Sequence, residues 1–246
     1  MTSSKQRLSL GSPEMDALLG GGLIEGSAVL VSGAPGVGKT TLGLQFLMAG
    51  IKAGQRGLLV SFEEFPASLI RDAQQLGWDL KASEKNGDLG IIFTSPSVFL
   101  ESLKQQTGPI SEKIETLAPT RMVLDSVAHF QQFTQDPLEL REIYNTLVNA
   151  IKRQDSTVLL LDEAANILQH RGTEVAALPF LVDTVILLRY VEVDSTMQRA
   201  IAVMKMRGSS HQKEIRSFEI KKGGLALGPP FDGHAGILSG MSHRTA

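Results

Sequence analysis

The run Gly33-Ala34-Pro35-Gly36-Val37-Gly38-Lys39-Thr40 sets glycines, a lysine and a hydroxyl at the spacing G-x-x-x-x-G-K-[ST]. Those residue types at that spacing make a phosphate cradle. Glycines let the backbone curl until successive N–H groups point at one anion, and the helix that starts behind them adds the positive end of its dipole. The lysine then reaches the β- and γ-phosphates, and the hydroxyl ligates Mg²⁺. Nucleotide contacts are therefore expected from Gly33, Gly36, Val37, Gly38, Lys39, Thr40 and Thr41, with Thr40 as a metal ligand and Lys39 acting in the chemistry. The chemistry implied is that of a nucleoside triphosphate.

Hydrolysis of such a molecule needs a carboxylate near Mg²⁺ and a group that positions or deprotonates water. Both belong at the C-terminal ends of parallel strands beside the loop. Three acidic sets stand at the ends of apolar runs: Glu63-Glu64, Asp125 and Asp162-Glu163. Spacing alone does not choose between Asp125 and Asp162 for the metal, and an acid at a strand end also serves as a helix N-cap.

The elements that must hold these groups follow from the apolar pattern. Ser27 to Ser32 reads as a buried strand entering the loop, and Leu42, Phe46, Leu47 and Ile51 keep helical spacing after it, with Gly54 as the stop. Strands are predicted over 57–62, 89–94, 122–124 and 157–161, and helices from Pro66 towards Gly77, over 97–105, 111–117 and 138–153. Runs at 185–188, 200–206 and 215–220 leave little room for helices between them. The alternation predicts an α/β fold with a mostly parallel central sheet flanked by helices and an antiparallel C-terminal extension. One domain is expected over 1–228, followed by a weakly ordered tail over 229–246.

Composition narrows the class. The chain has 246 residues, a formal net charge of −2 and no cysteine. Disulfides, thiolate catalysis and cysteine zinc sites are excluded, and no global field recruits nucleic acid or an anionic membrane. Met1 to Arg7 precedes no apolar signal core, and no apolar run reaches membrane-spanning length. The expected location is the cytoplasm.

Several short segments together resemble the KaiC family within the RecA-like P-loop ATPases. They are Gly11-Ser12-Pro13-Glu14-Met15-Asp16-Ala17-Leu18-Leu19-Gly20-Gly21-Gly22-Leu23, the P-loop, Ser61-Phe62-Glu63-Glu64, Gly77-Trp78-Asp79-Leu80, Leu124-Asp125-Ser126-Val127 and Lys205-Met206-Arg207-Gly208-Ser209-Ser210-His211. The similarity runs from about Leu10 to Leu227, and the order and spacing of the segments make it specific.

The resemblance implies ATP as substrate with Mg²⁺. It assigns water activation to Glu63 and Glu64, and the Walker B metal carboxylate to Asp125, followed by the hydroxyl residue Ser126. Asp162-Glu163 corresponds to a γ-phosphate-sensing or structural position. A close carboxylate pair shares its charge poorly, so one member can be held as a base. Alternation places Lys205 and Arg207 on one strand face, and the resemblance sends both across a subunit boundary to the γ-phosphate of the neighbour, with Ser209 and His211 beside the same nucleotide. That implies a homo-oligomer in head-to-tail contact, a hexameric ring, serving an unidentified regulatory protein partner. The remaining histidines, His129, His170, His234 and His243, lack metal-ligand spacing and read as structural or surface residues.

Two departures from the clock members stand out. Their Ser-Thr phosphoacceptor pair is replaced by the stretch Pro179-Phe180-Leu181-Val182-Asp183, which speaks against autophosphorylation, and this chain carries one domain where they carry two. The expectation is an ATPase used for signalling or conformational switching. A DNA-dependent RecA/RadA-type ATPase is the first alternative, through Arg207, Lys213, Arg216, Lys221 and Lys222, but no zinc module, helix-hairpin-helix or arginine-rich arm accompanies that segment. An assembly scaffold with little turnover is the second, against which the two glutamates argue.

Overall fold

The computed structural model describes residues 6–163, 178–231, 234–236, 238 and 243–244. The chain begins with β1 (Arg7–Leu8), α1 (Pro13–Leu18), β2 (Leu23–Ile24), β3 (Ala28–Gly33), α2 (Lys39–Lys52) and β4 (Gly57–Ser61). It continues through α3 (Pro66–Gln75), α4 (Leu80–Lys85), β5 (Leu89–Phe93), α5 (Pro96–Gln105), α6 (Pro109–Leu117) and β6 (Arg121–Asp125). A 3-10 helix (Val127–Phe133), α7 (Pro137–Lys152), β7 (Thr157–Asp162) and α8 (Leu178–Leu181) follow. β8 (Thr184–Val193), β9 (Thr196–Met206), β10 (Arg216–Lys221) and β11 (Gly224–Pro230) complete the main body.

Nine strands form one sheet in the order β11-β10-β9-β8-β3-β7-β6-β4-β5. The members from β8 to β5 run parallel, and β9, β10 and β11 continue antiparallel. The expected α/β architecture, parallel with an antiparallel extension, is therefore present. Its strands are apolar on both faces because both are covered, as a parallel sheet requires. Val29, Val31, Leu59, Val123 and Leu161 face α2, where Leu42, Phe46 and Leu47 meet them. Their chain neighbours Leu30, Leu58, Val60, Leu124 and Leu160 turn to the other side, onto Phe99 and Leu103 of α5 and Tyr144, Leu147 and Ile151 of α7.

The helix ends carry ordinary local signals. α2 stops at Ala53, and Gly54 follows at φ +77°, the left-handed region a glycine occupies without strain. Ser95 and Asp136 cap α5 and α7 by accepting from the N–H groups of Val98 and Leu138. α4 escapes the periodicity because six residues are under two turns. β11 escapes it because Gly228, Pro229 and Pro230 read as breakers; it forms the sheet edge, where proline is tolerated. The tail expected from residue 229 thus begins inside a strand. Half of it, like His170, lies outside the described residues. No described helix is long and apolar enough to cross a membrane.

Candidate active site

The loop after β3 and the ends of β4, β6 and β7 enclose a cavity of about 340 Å³, lined among others by Gly36, Gly38, Lys39, Thr40, Thr41, Glu63, Glu64, Asp125 and Glu163. Gly38 opens α2 at φ +121°, and a Cβ on Gly33 would stand 2.4 Å from the Leu188 carbonyl oxygen. Both positions need glycine, one for backbone conformation and one for close approach. The Lys39 ammonium, itself buried, donates to the carbonyls of Gly33 at 2.9 Å and Ala34 at 3.1 Å, arching over the loop. Gly33 and Val37 are not in the lining. Val37 is packed into the core beneath α2, so only its backbone serves the cradle.

Thr40 Oγ1 donates to Asp125 Oδ2 at 2.7 Å. Burial pushes the Asp125 carboxyl up to about 6; the Thr40 hydrogen bond opposes the rise, and Glu64 adds to it. A hydroxyl and a buried carboxylate side by side are the oxygen donors a hard divalent cation takes, and a cation there would offset the unfavourable burial of Asp125. Asp162 is buried at the end of β7 and outside the cavity lining, while its neighbour Glu163 reaches the wall. No cluster of three or more metal-ligating side chains occurs among the described residues.

Glu63 and Glu64 follow β4, and their environments separate them. Burial raises the Glu64 pKa, and the negative charges of Asp72 and Glu63 raise it further. Glu63 Oε2 lies 3.2 Å from His129 Nε2. His129 therefore lies beside the site, a placement that its reading as a structural or surface residue did not specify. No local pattern marks it: it comes from the 3-10 helix after β6, which is brought next to β4 by sheet pairing. Two more residues escape the sequence reading. Tyr190 of β8 donates its hydroxyl to the Gly36 carbonyl at 2.7 Å, and Ile220 of β10 closes over Gly38. Both arrive from strands far along the chain.

The cationic residues lie elsewhere. Lys205 Nζ donates to the carbonyls of Pro179 at 2.9 Å and Val182 at 2.7 Å, and Arg207 Nη2 donates to that of Phe180 at 3.0 Å. β9 stops at Met206, so Arg207 stands just past the strand expected to carry it, yet both cations turn to the same α8 segment. Burial, then the charge of Arg207, lowers the Lys205 pKa. The Asp183 carbonyl accepts from Arg207 N, and its carboxylate accepts from Ala28 N. Ala28 opens β3, whereas the phosphate loop follows Gly33 at its other end. Five residues at about 3.3 Å put roughly 16 Å between the two ends.

Ser209 accepts from Arg7 Nη2 at 2.6 Å, and His211 adjoins Gln212, whose N–H donates to Leu18. None of Lys205, Arg207, Ser209 and His211 lines the cavity around the chain's own P-loop. A second cavity of about 970 Å³ opens at their end, with Arg7, Lys152 and Arg207 among its walls. Lys152 is paired there with Asp183 at 2.7 Å.

A parallel sheet with an antiparallel flank, a glycine cradle between its central strand and the next helix, and carboxylates at the adjoining strand ends define a RecA-like P-loop protein. The family model described as ATPase: KaiC matches residues 8–231, and the chain belongs to the KaiC ATPase family. It is 36% identical over 244 residues to the circadian clock protein KaiC3 of Synechocystis sp., covering 99% of this chain and 48% of that protein. It is 32% identical over 245 residues to the circadian clock oscillator protein KaiC of Picosynechococcus sp., covering 99% and 47%. The corresponding protein of Acaryochloris marina is 34% identical over 245 residues, covering 99% and 46%. The chain spans about half the length of these relatives.

Proposed function

We propose that this chain is a Mg²⁺-dependent ATPase whose active site is completed by a second copy in a head-to-tail ring, hexameric by its resemblance to the KaiC family. The observation that carries this reading is the division of charge across the sheet. The phosphate cradle and the carboxylates sit at the C-terminal ends of the parallel strands, while Lys205 and Arg207 sit at the opposite ends, out of reach of their own loop.

In this reading the loop N–H groups and Lys39 hold the triphosphate, aided by Gly33, Gly36, Val37, Gly38 and Thr41. Thr40 and Asp125 would hold Mg²⁺, which neutralises charge on the phosphate oxygens. Glu63 and Glu64 orient a water and take its proton as the water oxygen attacks the γ-phosphorus. The bond to the β–γ bridging oxygen breaks, and ADP leaves with the electron pair. Lys205 and Arg207 of the neighbouring copy stabilise the charge spread over the transferring group, with Ser209 and His211 beside the nucleotide. The raised pKa of Glu64 and the contact of Glu63 with His129 support a division of labour within the pair. A role in signalling or conformational switching, through a regulatory protein partner, fits an ATPase whose turnover is tied to assembly. DNA stimulation is disfavoured, since Lys221 of the basic segment is paired with Glu219 at 2.7 Å.

The deciding experiment is size-exclusion chromatography with light scattering, with and without ATP·Mg²⁺, on the sample used for an ATPase assay. A single copy that hydrolyses ATP at full rate in both conditions overturns the shared-site reading. Two substitutions test the nucleotide pocket itself. Lys39→Ala removes the loop's side-chain cation and leaves its backbone cradle, so calorimetry should show ATP affinity sharply reduced; unchanged affinity rejects the assignment. Asp125→Asn removes one anionic oxygen beside Thr40 and should raise the Mg²⁺ concentration needed for activity, whereas Asp162→Asn should not. A magnesium titration that shifts more for Asp162→Asn moves the metal site to β7.

A further inference from the structure

Pro179 and Phe180 belong to the short helix α8, which precedes β8. Phe180 is 55% exposed. At the other end of the sheet, Phe65 and Phe93 are 66% and 42% exposed, their ring centroids 4.5 Å apart. Phe65 directly follows Glu64, so this pair stands at the rim of the candidate active site. Large aromatic side chains left in water at the two ends of the sheet, one beside Glu63 and Glu64 and the other beside Lys205 and Arg207, have the make-up of an interface core with a polar surround.

We propose that Phe180 of one copy packs against the Phe65–Phe93 pair of the next, forming an apolar contact beside the shared nucleotide site. The inference rests on the head-to-tail reading above, and under that reading the occupant is fixed by one hydrogen bond. The Phe180 carbonyl accepts the Arg207 guanidinium at 3.0 Å, so an arginine delivered to the neighbour's cavity brings Phe180 to its rim. Charge agrees with the pairing. The receiving rim carries Glu63 and Glu64, and the incoming face carries Lys205 and Arg207.

The chain contains no cysteine, so thiols can be introduced at will. Phe65 lies past the C-terminal end of β4 and Phe180 before the N-terminal end of β8, at opposite ends of parallel strands, so a link between them must join two copies. The Phe65→Cys/Phe180→Cys variant, treated with a short bismaleimide in ATP·Mg²⁺, should give a ladder of linked oligomers, and each single variant should give almost none. Phe180→Ser, at an exposed position, should still bind ATP as a folded protomer. Its concentration for half-assembly should rise about tenfold or more, the usual effect of losing an aromatic anchor. Assembly by light scattering without a ladder, or Phe180→Ser assembling at the wild-type concentration, overturns the aromatic contact and leaves the ring standing. A wild-type chain that stays a single copy in ATP·Mg²⁺ overturns the ring reading and this contact with it.

Discussion

Glu63→Gln/Glu64→Gln is expected to bind ATP·Mg²⁺ and assemble like the native chain, yet turn over about 10²–10⁴-fold more slowly, the usual worth of a positioned general base. The amides keep the size of the carboxylates but cannot take a proton from water. Both side chains line the cavity beyond the end of β4, so their replacement leaves the core of that strand untouched. The single variants then divide the pair. Glu64 is the member whose pKa is raised, chiefly by burial, which brings it nearer the working pH of a base. Glu63 is the member in contact with His129. Single-turnover measurements on Glu63→Gln and Glu64→Gln separate the two roles. Turnover that survives the double change but is abolished by Glu163→Gln would assign the base to the end of β7.

Arg207→Ala should lower turnover by about 10³–10⁵, the range for a lost arginine finger, while each chain keeps its own loop and glutamates. The informative measurement is a mixture. The glutamate variant still donates Arg207 but cannot activate water, and the arginine variant has the opposite defect. In randomly mixed rings, an interface works when the arginine-lacking copy holds the nucleotide and the glutamate-lacking copy supplies the cation. With equal mixing that is about a quarter of interfaces, because a head-to-tail contact pairs two different patches. Activity should return towards about a quarter of wild type, less any loss of cooperativity. Labelled protomers establish that subunits exchange. Exchange without recovery means Arg207 does not act on a neighbour.

What was legible in the sequence was what local rules write. The cradle at 33–40 depends on residue types eight positions long, and the strands at its flanks on uninterrupted apolar runs such as Leu159-Leu160-Leu161. The covered faces of the sheet follow from the same runs. Choosing Asp125 for the metal required the family resemblance, because Asp162 ends an equally apolar strand; the proposal is supported by the register that puts Asp125, and not Asp162, against Thr40. His129, Tyr190 and Ile220 stayed invisible for one shared reason. Each reaches the site through strand pairing across a long stretch of chain, and pairing leaves no mark at the residue itself. β11 was hidden by the opposite effect, because its prolines obey edge-strand rules that look like turn rules when the neighbour is unknown.

Strand β8 has a directional consequence. It pairs with β3 over Thr184–Leu188 and with β9 along its whole length, so its first half is held on both sides. One end follows Asp183, whose carbonyl holds the backbone of Arg207, and six residues beyond its start Tyr190 grips the carbonyl of Gly36 in the chain's own P-loop. β8 thus links the backbone of Arg207 to the chain's own phosphate loop. In the proposed head-to-tail ring, the same strand would join the residues a chain lends to one neighbour with the loop at which it receives the other, giving the ring a polarity.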